Sequence, residues 1–392
     1  MVRFAARTGW DLTENHHAKV LAEARATGKA LIDLTESNPT RCGLADAGPL
    51  VAQLGHPRGG RYEPSSLGHP VARAAVGRYY AERGISVDAG WVVLSASTSE
   101  AYGWLFKLLA DRGDEILVPA PSYPLLEFLA CLEDVTLTPY PLLREEGWRV
   151  DLGALERLSG PRTRAVVLVH PNNPTGTFVR RDEADALAAF AAARGLALVV
   201  DEVFGDYAHG ALPQNRLPSF AGHTGALTFV LSGLSKVVAM PQLKLGWIVV
   251  SGPEAIAAEA MKRLEVVADT YLSVSTPVQL ALPEILGARV PVQRAILGRV
   301  QENMRVLDEV LAAAGGATRR LPVDGGWYAV LAVPRWHDED GWVELLVREE
   351  GVIVHPGYFF DMPAEGFLVV SLLPEPGAFA DAARRLAARL SG

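Results

Sequence analysis

The sequence predicts an α/β protein of two unequal parts: a large domain on a mostly parallel, doubly wound sheet, and a smaller α+β domain. Three observations carry this. A chain of 392 residues is long for one core and comfortable for two. A composition of 49% hydrophobic and 21% charged residues is that of a chain able to bury a core. Its middle repeats one phrase, an apolar run, a Gly/Pro/Asn turn and an amphipathic stretch, which is the rhythm of strands alternating with helices.

The elements follow in order. Residues 1–45 read as an N-terminal arm and part of the small domain, 46–285 as the large domain and 286–392 as the small C-terminal domain. Trp91 to Leu94, Glu115 to Val118, Ala165 to Val169, Leu196 to Val200, Thr228 to Leu231 and Trp247 to Val250 are short apolar runs closed by turn residues, the pattern of buried strands. RRDEADALAAFAAARG has early acids, an alanine-rich interior, a late arginine and a closing Gly195, so it reads as a helix. With its flanking runs it makes one βαβ unit, whose right-handed crossover sets both strands parallel. VQRAILGRVQENMRVLDEVLAAAGG reads as one long helix ending at Gly315 and Gly316. Trp327 to Val333, Gly351 to Val354 and Phe367 to Leu372 then read as short strands, and AFADAARRLAARL as a closing amphipathic helix.

Bulk properties exclude several classes. A net charge of -8 with no Lys/Arg-rich run disfavours a nucleic-acid partner, since phosphate binding needs an electropositive face. Cys42 and Cys131 are far apart and lack metal-ligand spacing, so we expect no disulfide framework and no metal site and read both as buried or incidental. The N-terminal stretch lacks an apolar signal core and no apolar run reaches membrane-spanning length. The expected address is the cytoplasm, with no membrane partner.

In open α/β sheets ligands bind where strands end, so the turns are the place to look for chemistry. After Trp91 to Leu94, Ser97, Thr98 and Ser99 open a helix, where free N–H groups and hydroxyls can cradle a phosphate; a plain N-cap is the simpler reading. In VPAPSYPLLE, Tyr123 follows a buried strand and can either pack or lie flat on a ligand ring. VHPNNPTG makes a tight turn from which Asn172 or Asn173 can point an amide at a ligand oxygen. LALVVDEVF ends in Asp201 and Glu202, acids that are costly at a buried strand end unless partnered, by a structural ion pair or by a ligand. Lys236 leaves the same sheet edge after Ser235. An ordinary lysine titrates near 10.4, and a catalytic one must sit roughly three pH units lower, about 4 kcal/mol.

The order of these turns, hydroxyl cradle, aromatic, Asn turn, Asp after a strand and Ser-Lys after a strand, resembles the fold-type I, class I/II aminotransferases that use pyridoxal 5′-phosphate (PLP). The resemblance spans nearly the whole chain. It implies a PLP-dependent transferase-like fold and an enzyme exchanging an amino group between an amino donor and a 2-oxo acid. Lys236 would hold the cofactor as a Schiff base and shuttle the substrate proton, and Asp201 would pair with the pyridine nitrogen. Asn173 would bond the phenolic oxygen, Tyr123 would stack on the ring, and Ser97, Thr98, Ser99 and Ser235 would hold the phosphate. RYEPSSLGHP resembles the segment whose tyrosine, Tyr62, reaches the phosphate of the neighbouring subunit's cofactor, which implies a homodimer with shared active sites. ESNPT, with Asn38, resembles the segment that folds over the substrate.

Three positions depart from the family. Lys244 stands where an arginine usually grips the phosphate, supplying charge without the bidentate fork. Phe204 replaces a tyrosine that usually bonds the phenolic oxygen. Val369 occupies the position of the arginine that usually holds the substrate α-carboxylate, and no arginine lies between Arg348 and Arg384. Arg41 and Arg61 are the candidate replacements, with Lys29 a weaker third. The missing arginine keeps a second PLP chemistry open, a lyase, decarboxylase or cyclase. A non-catalytic module of the same fold is the third reading, opposed by the joint presence of Lys236, Asp201 and Asn173.

Overall fold

The computed structural model describes residues 2–44, 47–124 and 126–391. Strands are numbered along the chain: β1 (Ile32–Asp33), β2 (Val92–Ser95), β3 (Glu115–Ala120), β4 (Thr136–Leu143), β5 (Arg149–Val150), β6 (Thr163–Val169), β7 (Ala197–Asp201), β8 (Thr228–Gly233), β9 (Gly246–Ser251), β10 (Arg319–Arg320), β11 (Tyr328–Ala332), β12 (Val352–Ile353), β13 (His355–Pro356) and β14 (Phe367–Ser371). An eight-stranded sheet runs in the order β2-β9-β8-β7-β6-β3-β4-β5. The pairs β3/β4, β3/β6, β6/β7 and β7/β8 are parallel; β9 is antiparallel to both β8 and β2, and β5 is antiparallel to β4.

Both faces of this sheet are covered, as its uninterrupted apolar strands require. Side chains alternate along a strand, so Val166, Leu168, Leu198, Val200 and Val230 enter one core while Ala165, Val167, Ala197, Val199 and Phe229 enter another. Helices Pro70–Glu82, Arg181–Arg194 and Thr276–Gly287 cover the first face, and Thr98–Leu109 and Glu254–Tyr271 the second. Arg181–Arg194 ends as its sequence requires, with Gly195 left-handed at φ 65° and its N–H closing the last turn.

A second, antiparallel sheet has the order β10-β11-β14-β13 and packs under helices Arg289–Ala314 and Pro376–Leu390. The N-terminal segment joins it: β1 pairs in parallel with β12, and the Ser371 N–H donates to the Leu34 carbonyl. The division expected at residues 45 and 46 falls outside the described residues. β4 is absent from the expected strands because Pro139 and Pro141 argue against a ladder, yet it pairs along its length with β3 and its outer neighbour β5 is only two residues long. Cys42 and Cys131 are free and half-buried. Among the described residues no helix is long and apolar enough to cross a membrane.

Candidate active site

The chain reverses direction across the sheet between β3 and β6, and the carboxyl ends of β2, β6, β7 and β8 open on a cavity of about 160 Å³. It is lined by Lys236, Asp201, Asn173, Tyr123, Phe204, Ser235, Ser97, Thr98 and Ser99, nine residues that sequence reasoning nominated. Each is delivered by a strand end or the turn after it, so sheet register sets their spacing.

One end of the cavity is the start of helix Thr98–Leu109. Ser97 is its N-cap, its side chain accepting from the Glu100 N–H at 3.1 Å. The amides of Thr98 and Ser99 follow, where no intrahelical acceptor exists and the helix dipole favours an anion. Gly246 on β9 lets the chains close here: a Cβ would stand 3.2 Å from the Ser97 carbonyl carbon.

Asp201 lines the cavity at the carboxyl end of β7. Its Oδ1 accepts from the Val203 N–H at 3.0 Å and its Oδ2 from the Tyr102 hydroxyl at 3.3 Å. Burial pushes this carboxyl up to about 6, against the lowering pull of those two donors and of Lys236. Glu202 points to the opposite face, accepting from Ser219 Oγ and the Phe220 N–H at 2.6 Å each. Strand alternation thus separates a cavity acid from a structural one.

Lys236 lines the same cavity just past β8, its ammonium 4.8 Å from the Trp327 ring centre and 5.5 Å from that of Phe204. Its backbone carbonyl accepts from the Tyr207 hydroxyl at 2.5 Å. Burial lowers the amine to about 8, with Asp201 pulling the other way. Asn172 and Asn173 are both buried with Oδ1 unpartnered, but Asn173 lines the cavity whereas Asn172 does not, its Nδ2 donating to Pro121 O and Thr175 Oγ1. An unsatisfied buried amide on a cavity wall marks a place for a ligand atom. A desolvated amine, an acid facing the cavity, that amide and a hydroxyl-rich helix start fit a phosphorylated pyridine aldehyde end to end.

The other nominated residues lie outside the cavity lining. Lys244 is solvent-exposed at φ 50°, at the end of the turn before β9. Tyr62 is 75% exposed and borders a separate cleft behind the cradle helix. Asn38 is partly buried and caps its own turn, accepting from the Thr40 N–H and hydroxyl. Arg41 and Arg61 are surface residues paired with Glu36 and Glu63. Lys29 is spent on the carbonyls of Arg348 and Glu349. Val369 is fully buried on β14.

Sequence reasoning missed Tyr102 and Tyr328, and in ESNPT it singled out Asn38 where Ser37 is the residue that lines the cavity. Tyr102 had a legible signal, standing four residues after Thr98 and so on the same helix face. Tyr328 had none, because only the folding of the second sheet over the first brings it there.

A family model described as aminotransferase class I and II matches residues 46–384. Nicotianamine aminotransferase B of Hordeum vulgare is 28% identical over 312 residues, covering 76% of this chain; the chain spans 56% of that protein's length. An alanine aminotransferase of Mycobacterium tuberculosis is 28% identical over 374 residues, covering 93% of this chain and 86% of the relative. The structure of a Pyrococcus furiosus alanine aminotransferase superposes with a TM-score of 0.87 at 22% identity, covering 99% of each chain.

Proposed function

The chain belongs to the class I and II aminotransferases, and from that membership we propose that it exchanges an amino group between an amino donor and a 2-oxo acid with PLP as cofactor. The convergence of Lys236, Asp201 and Asn173 on one cavity that opens on a helix start carries the reading. Family membership favours amino transfer over the lyase, decarboxylase and cyclase chemistries.

When bound, PLP supplies an electron sink for the bond broken at the substrate α-carbon. The residues of the chain hold it and move the proton. Ser97, Thr98, Ser99 and Ser235 would hold the phosphate through hydroxyls and backbone amides, and Lys244, outside the lining, would add positive charge but no fork. Asp201 bonds the ring nitrogen; a carboxyl lifted to about 6 is still mostly ionised at pH 7, and a cationic nitrogen beside it would hold it so. Asn173 donates to the phenolic oxygen and Tyr123 covers one ring face. Phe204 supplies no hydroxyl there, so Asn173 carries that contact without a phenolic partner from position 204.

Lys236 acts first as nucleophile and then as general base and acid. An amine near 8 has a usable neutral fraction at pH 7, which an amine near 10.4 lacks. Trp327 and Phe204 keep water from one side of it.

The proposed setting is a cytoplasmic homodimer in which Tyr62 reaches the phosphate site of the second subunit. Its high exposure in the single chain suits such a contact. The test is spectral: an amino donor should shift the absorbance of the PLP-loaded protein and a 2-oxo acid should return it in equal amount. Release of product without that return would support the lyase reading instead.

A further inference from the structure

Position 369 is the place to ask what holds a substrate carboxylate here. Val369 faces Val330 on β11 and His355 on β13, and directly opposed residues of an antiparallel pair share one face of the sheet. Val330 is buried and cannot meet a carboxylate. Burial lowers His355 to about 4, against the pull of Asp33 and with His17 adding to the fall, so at pH 7 it is a neutral ring packed on Phe359 and Phe360. Residues two apart on a strand also share a face, so Tyr328 stands on this surface one step beyond Val330, at the point where it becomes cavity wall.

Tyr328 is held there on two sides, its ring 6.3 Å from Phe204 and 6.1 Å from Phe360, both edge-on. Ser37 lines the same cavity from the N-terminal segment, bringing a second hydroxyl-bearing side chain to the wall that Tyr328 forms. The charged groups around this pair are Glu36, which accepts from the Asn38 N–H and is paired with Arg41 at 3.1 Å, and, in the wall of the same cavity, Lys236 and Asp201. Among the described lining residues Lys236 is the one cation.

We propose that the Ser37 and Tyr328 hydroxyls together form the carboxylate contact of this site, in the place where a long cation at position 369 would have reached. The inference rests on the aminotransferase reading and names how that enzyme recognises its substrates. Two neutral O–H donors lack the charge and the forked geometry of a guanidinium. The contact is therefore weaker, and the substrate class widens: donors are α-amino acids together with primary amines that carry no α-carboxylate, discriminated only modestly from one another.

The test uses full-length protein loaded with PLP, with an unreactive carboxylate, propionate, as probe, read by the perturbation of the cofactor's absorbance. Tyr328→Phe keeps the ring and removes the hydroxyl. It should weaken propionate binding by roughly tenfold, and Ser37→Ala by several-fold, the size of a lost hydrogen bond to a charged group. n-Butylamine, which has no carboxylate, should react with each variant within about twofold of the parent, since no lost contact is shared. Propionate bound equally by Tyr328→Phe and the parent would overturn the proposal. So would equal losses for propionate and butylamine, which would indicate a general disturbance of the cavity, or a loss confined to Arg41→Ala. A parent protein that takes up no PLP would remove the aminotransferase reading and this proposal with it, whereas PLP uptake with an indifferent Tyr328 removes this proposal alone.

Discussion

Lys236 and Asp201 are ionisable groups taken out of water in the wall of one small cavity, and burial moves each toward its neutral form. For the lysine the sign is simple. The amine is protonated below about 8 and free above it, so the rate at which cofactor-free protein captures PLP should rise with pH through that value. Stopped-flow absorbance would check it; a flat profile from pH 6 to 9 would contradict the placement of the amine. Lys236→Ala should leave no borohydride-reducible adduct and lower transamination by at least about 10³-fold, the scale of a lost nucleophile and general base. Asp201 also shapes stability. Its folded value of about 6 lies above the ordinary 3.8, so its contribution is fully present below 3.8 and is lost as pH rises through 6. In cofactor-free protein Asp201→Asn should flatten the fall in melting temperature across that window. Glu202 has the same sign, with a folded value of about 7, but substituting it would also break the Ser219 and Phe220 contacts.

The turns and caps decide whether those side chains meet. Gly176 closes the Asn turn at φ 67°, and a Cβ there would stand 2.2 Å from the Gly325 carbonyl oxygen, on the segment leading to Trp327. Gly176→Ala should therefore cost more than about 2 kcal/mol, from the strained backbone and the clash together, seen as a lower urea midpoint. Ser97→Ala removes the N-cap of the cradle helix. The expected loss is about 1 kcal/mol of stability, with weaker PLP binding because the amides of Thr98 and Ser99 are less well ordered. Glu339 plays the matching part in the second sheet. Buried at the start of helix Glu339–Leu345, its carboxylate accepts from the N–H groups of Tyr358, Gly366 and Phe367, fixing the loop that delivers Phe360 and β14.

At the scale of the whole molecule, the cavity has walls from both sheets and from the N-terminal segment, so a substrate is enclosed by parts of the chain far apart in sequence. If Tyr62 completes the phosphate site of a second subunit, dilution that dissociates the dimer should also release PLP, and Tyr62→Phe should weaken PLP binding in the dimer; sedimentation with absorbance detection reads both. The strand ends were legible in the sequence because each strand is a short apolar run whose period and turn residues are local. Lys236, Asp201, Asn173 and the serines were legible with them, since each lies within a few residues of such an end. β4 was not, since ladder pairing overrode the local signal of its prolines. Tyr328 was not, since the β11/β14 pairing brings its segment onto the cavity; for ESNPT the segment was legible by resemblance, but Asn38 was singled out and Ser37 is the residue that lines the cavity. The sequence by itself determined that an amine, an acid and a hydroxyl-rich helix start stand at successive strand ends, and it has a valine at the position where the resemblance expects an arginine. Only the tertiary structure decided which groups stand in the space that arginine would have reached, because that depends on how two sheets pack and on no pattern along the chain.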